Sequence, residues 1–112
     1  MADPAGDPDV TLFVVATRLG FAVRVTKRQW EKIVSEKHPV MAGRERDVRS
    51  VLSNPEEIRQ SKRDPMVFLF YACEKPGRWL SAVVKKVDNE CGFLVTAYPT
   101  DAIKEGERRW TK

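Results

Sequence analysis

At 112 residues the chain is long enough for one hydrophobic core and too short for two ordinary domains. Its 42% apolar and 32% charged residues are ordinary globular composition, and no run approaches the roughly 18 consecutive apolar residues of a membrane span, so no membrane partner is expected. The formal net charge of +4 rises to +7 over residues 10–112 once Asp3, Asp7 and Asp9 are set aside. A surface of that sign concentrates polyanions, nucleic acid foremost and an acidic protein second.

The opening stretch Met1-Ala-Asp-Pro-Ala-Gly-Asp-Pro-Asp9 lacks the basic and apolar regions of a secretory signal. It reads as a flexible acidic tail before a single α+β domain over residues 10–112. Cys73 and Cys91 form no CxxC pair, and His38 is the one histidine. Neither a zinc site nor a disulfide framework has its usual spacing. Two reduced thiols in a cytoplasmic protein are expected, with no metal and no cofactor.

Val10 to Ala16 and Phe21 to Val25 are β-branched and aromatic runs separated by Thr17-Arg-Leu-Gly20, which predicts a hairpin. Thr26 followed by Gln29 is a capping-box pattern, after which Trp30, Ile33 and Val34 recur at helical spacing. That helix should stop near His38, because Pro39 restricts the residue before it. Arg44 to Ser53 places Val48, Val51 and Leu52 on one face of a second helix. Asn54-Pro-Glu-Glu57 has the cap-and-proline form of a further helix start, one turn long, before an extended Ile58 to Lys62. Met66 to Ala72 and Trp79 to Val87 flank a Pro-Gly reversal and form a second hairpin, and Phe93 to Tyr98 adds the third strand of a meander. Asp101 to Lys112 is a short strand or a loop that packs Trp110 against the domain. The expected architecture is two helices and an N-terminal hairpin on a mostly antiparallel sheet.

Strand side chains alternate between faces. Phe68 and Phe70, then Leu80, Ala82 and Val84, then Phe93, Val95 and Ala97 are assigned to the helix-covered core. Tyr71, Ser81, Lys85, Thr96 and Tyr98 fall on the other face. Hydroxyls and an ammonium on a rigid sheet suit a phosphodiester, the cation neutralising an oxygen and the hydroxyls orienting it. An ordinary solvated sheet face carries the same residue types. His38 is the side chain with an ordinary pKa near neutrality, suited to proton transfer or, alternatively, to the carbonyl end of the first helix. Arg44, Arg46 and Arg49, with Arg59, Lys62 and Arg63, could track a nucleic-acid backbone or pair with Glu45, Asp47 and Glu57.

The ordered set Trp30-Glu-Lys-Ile33, Lys37-His38-Pro39, Asn54-Pro-Glu-Glu-Ile58, Phe70-Tyr71, Trp79-Leu80, Val83-Val-Lys85 and Val95-Thr-Ala-Tyr98 followed by Ile103-Lys-Glu-Gly106 resembles small phage- and mobile-element-associated domains. These belong to the Barnase, EndoU, colicin and RelE-like (BECR) ribonuclease superfamily. The resemblance runs over about residues 26–110. It implies helices preceding a curved antiparallel sheet and metal-independent endoribonuclease activity on RNA. By the same resemblance His38 is the catalytic imidazole, Thr96 the strand hydroxyl, and Lys85 and Tyr98 supporting groups. Arg44, Arg46, Ser61, Tyr71 and Ser81 are the expected substrate contacts. A toxin-type or phage-related role with an antitoxin or immunity partner follows, the alternative being a non-catalytic RNA-binding or protein-interaction module. An acidic residue often follows the His-Pro pair in such domains, where Val40 stands here, and the N-terminal hairpin is extra to the pattern.

Overall fold

The computed structural model describes residues 10–103 and 105–112, and the expected tail over residues 1–9 lies outside them. The first hairpin joins β1 (Thr11–Ala16) to β2 (Ala22–Thr26) in antiparallel register. Its turn closes where the Thr17 hydroxyl donates to the Phe21 carbonyl at 2.7 Å. Gly20, at φ 88°, supplies a left-handed backbone that side-chained residues resist.

Thr26 then caps α1 (Lys27–Lys32) through the expected reciprocal pair: the Gln29 backbone N–H donates to Thr26 Oγ1 at 3.2 Å, and the Thr26 N–H to Gln29 Oε1 at 2.9 Å. The helix widens into one π turn (Ile33–Lys37), which the His38 N–H closes on the Ile33 carbonyl at 2.7 Å. A short 3₁₀ turn (Pro39–Met41) leads to α2 (Glu45–Ser53), which buries Val48, Val51 and Leu52 as its spacing requires.

Asn54 to Glu57 does not begin a helix. The Glu56 N–H donates to the Tyr71 carbonyl at 2.8 Å and its carboxylate accepts from the Cys73 N–H at 2.8 Å, so the segment is drawn into the sheet as β3 (Glu57–Gln60). The meander follows as β4 (Val67–Lys75), β5 (Arg78–Lys86) and β6 (Cys91–Thr100), and the tail supplies β7 (Glu107–Thr111). Trp110 packs against the core.

The seven strands are ordered β1-β2-β6-β5-β4-β3-β7, and the β2–β6 contact is the parallel one. The sheet is strongly curved. Five strand spacings of about 4.8 Å would hold β2 and β7 roughly 24 Å apart in a flat sheet, yet the Arg18 guanidinium of the first turn lies 6.0 Å from the Trp110 ring. Phe21 and Phe68 meet at 5.8 Å in the same closure. Val23, Val25, Phe70, Leu80, Ala82 and Val84 line the covered face, with Ile33, Met41, Val48 and Leu52 opposite them.

One assignment within β6 is corrected. Val83 pairs with Thr96 and Val84 with Leu94, so Val95 is an extra residue in a β-bulge. Upstream of it the alternation inverts: Leu94 is the buried residue, while Phe93 and Val95 are only partly covered. Cys73 and Cys91 are exposed free thiols at opposite ends of the sheet, since Cys73 sits in the row of Thr100, nine positions along β6 from Cys91. No helix among the described residues is long and apolar enough to cross a membrane.

Candidate nucleic-acid interface

The face turned away from the helices is a grid of cross-strand rows two residues apart. Glu57, Tyr71, Ser81 and Tyr98 form one row, Arg59, Leu69, Val83 and Thr96 the next. Val67, Lys85 and Phe93 form a third, extended by Arg24 of β2. Tyr71, Ser81, Lys85, Thr96 and Tyr98 therefore do share a face.

His38 arrives at this grid from the side. β2 accompanies β6 only from Cys91 to Phe93 and then turns into α1. Beyond that point the π turn lies along β6, and the Lys37 ammonium donates to the carbonyl of the bulged Val95 at 3.0 Å. That carbonyl belongs to the bulged residue, and the wide turn brings Lys37 to it. The His38 and Tyr98 rings then meet with centroids 5.2 Å apart and planes at 36°. Thr96 stands two residues before Tyr98 on the same face, and its Oγ1 is buried without a hydrogen-bond partner among the described residues.

Two of the expected substrate contacts do not present their hydroxyls. Tyr71 is 2% exposed and Ser81 0%. Their cover comes from the connection between β6 and β7, strands that β5, β4 and β3 separate, whose described residues Ile103 and Glu105 lie on the open face. Ile103 reaches a cavity beside Trp79, and Glu105 one beside Leu69. Burial pushes the Tyr71 phenol up to about 12, helped by the nearby Tyr98. Ser81 lies close enough to oppose that shift, although its Oγ completes no hydrogen bond of acceptable geometry.

Lys85 is on the face but engaged, its ammonium 3.1 Å from Asp64. The Asp64 carboxyl is held below its usual range by the Met66 N–H and then by Lys85. Ser61 lines a cavity of about 390 Å³ with Lys62, Arg63, Leu69, Glu105 and Gly106, which joins the basic β3–β4 loop to the open face. Arg44 and Arg46 belong elsewhere. Arg44 is bound by Asp47 at 2.9 Å and by Glu74, beside Ala72 and Leu80 on the helix-covered side. Arg46 projects from α2, on that same side.

Sequence reasoning passed over Lys37, Asp64 and the crossing segment. Lys37 adjoins His38 but its acceptor depends on a bulge, and Asp64 lies in the β3–β4 loop, 21 residues before the Lys85 it pairs with. Neither a family model, nor a curated protein, nor a solved structure matches the chain.

Proposed function

We propose that this chain is a metal-independent, endoribonuclease-like domain acting on single-stranded RNA, with the phosphodiester seated on the open face beside His38. The observation that carries this reading is the contact of the His38 imidazole with Tyr98, two residues along β6 from Thr96. The 2′-hydroxyl attacks phosphorus as His38 takes its proton; the P–O5′ bond breaks, and the leaving 5′-oxygen takes a proton from the Tyr98 phenol or from solvent. The products are a 2′,3′-cyclic phosphate and a 5′-hydroxyl end. Lys62 and Arg63 supply cations along the strand, and Lys85 does so on release from Asp64.

Helices ahead of a curved antiparallel sheet, with an imidazole delivered from the end of the first helix, support a RelE/BECR-like reading of the fold. A cytoplasmic toxin-type or phage-related role with an antitoxin or immunity partner extends that reading. A second reading, a non-catalytic RNA-binding or protein-interaction module, is favoured by the Lys85–Asp64 pair, which engages a group the cleavage reading uses.

End-labelled RNA incubated with the protein in EDTA separates them. Cleavage to cyclic-phosphate ends, with an all-2′-deoxy strand of the same sequence left intact, is the expected result. Binding without cleavage supports the second reading with RNA as the ligand, and absence of affinity at low salt overturns RNA as the ligand in both.

A further inference from the structure

The three tryptophans are placed differently. Trp30 belongs to the core and Trp110 packs against it, while the half-buried Trp79 is in neither set. Trp79 pairs with Cys73 and Thr100 two residues before Ser81, so its side chain stands on the open face. No ring or cation among the described residues stacks on it. It borders a cavity of about 490 Å³, a size usual for small-molecule sites, with Ile103 as a second apolar wall and Glu57, Arg108 and Thr111 as polar groups. Tyr98 is its diagonal neighbour on β6, at a spacing of roughly 7–8 Å that aromatic side chains reach across.

We infer that this cavity is a nucleobase subsite, in which a base of the bound strand stacks on Trp79 and donates its amino group to Glu57; this rests on the seating of the phosphodiester beside His38 and Tyr98. Stacking on an indole is open to every base, because each has a π-face. The edge supplies the choice. Glu57 is held by Arg59 and by Arg108 at 3.5 Å, yet a carboxylate has about four acceptor sites, so it takes further donors. Cytosine offers it an amino group where uracil, a ring of the same size, offers a carbonyl oxygen. The cavity therefore favours amino-bearing bases, and of the two pyrimidines cytosine over uracil.

All-2′-deoxy strands lack the attacking hydroxyl, so their affinity for the full chain reads the subsite apart from cleavage. A short oligodeoxycytidine should quench tryptophan fluorescence and bind about fivefold more tightly than the matching oligodeoxyuridine, the worth of one hydrogen bond. Glu57→Gln should remove that preference. Trp79→Leu, which keeps apolar bulk without a ring, should weaken both strands about tenfold, while Trp79→Phe keeps most of the affinity and loses the quench. Circular dichroism establishes that each variant is folded, and should Trp79→Leu fail to fold, the quench in Trp79→Phe decides. A quench that survives in Trp79→Phe, or a folded Trp79→Leu that binds as the parent does, overturns the inference. Equal affinity of the parent for the two pyrimidine strands overturns the role of Glu57. RNA cleavage that needs His38 but is unchanged in Trp79→Leu sinks the subsite alone, whereas absence of affinity for any strand, RNA included, sinks the RNA reading with it.

Discussion

The Lys37 ammonium donates to the Val95 carbonyl at 3.0 Å, joining the turn that carries His38 to the bulge in β6. Lys37→Met removes that tie from an exposed site, so stability should fall by about 1 kcal/mol or less. RNA cleavage should fall roughly tenfold, because His38 is less firmly placed. Thermal melting beside single-turnover rates checks both halves.

Deleting Val95 is a sharper form of the same test. Removing the extra residue leaves Thr96 opposite Val83 and Leu94 opposite Val84, so both faces of β6 are preserved. The protein should fold with Leu94 still buried and lose the His38–Tyr98 contact. Nuclear Overhauser effects between the two rings, present in the parent and absent in the deletion, report the outcome.

Tyr71 gives a pH signature. Its folded pKa of about 12 lies above the ordinary phenol value of 10.0, so the folded state holds the proton more tightly. The stability it contributes is complete below pH 10 and is lost as pH rises through about 12. Tyr71→Phe should flatten the fall in stability across that window, measured by urea unfolding. Ultraviolet titration of the parent should show the Tyr71 phenol ionising late, a signal that Tyr71→Phe removes.

Asp64 restrains Lys85. Asp64→Asn should raise affinity for single-stranded RNA and steepen the logarithmic salt dependence by about 0.7, the increment for one freed cation. Lys85→Ala in the parent should change that slope much less. Fluorescence anisotropy over a salt series measures both.

Gly106 ends the segment that crosses the open face, at φ 79° and so close to β3 that a Cβ would lie 2.5 Å from the Gln60 carbonyl oxygen. Gly106→Ala should cost about 1–3 kcal/mol and loosen the cover over Tyr71. Faster amide exchange in β4 and β5 next to that cover would register it.

Most of the local structure was legible in the residues. Thr26 and Gln29 announced the first helix, Val48, Val51 and Leu52 the face of the second, and the Pro-Gly pair the β4–β5 reversal. The shared face of Tyr71, Ser81, Lys85, Thr96 and Tyr98 followed from alternation alone. Alternation misplaced Phe93 and Val95 because a bulge shifts the count without a residue type that marks it. The parallel β2–β6 contact and the place of β7 are non-local, and no pattern within either strand encodes them. Tyr71 and Ser81 were mistaken for accessible groups for the same reason: what buries them is a connection whose path depends on strand order.

The most direct measurement is the cleavage rate of a labelled single-stranded RNA in EDTA by the parent and by His38→Ala, with affinity measured in parallel. The account predicts at least a hundredfold loss of rate, within the usual worth of a proton-transfer group, with affinity changed less than threefold. Equal rates for the two proteins, or an intact RNA bound equally by both, would contradict it.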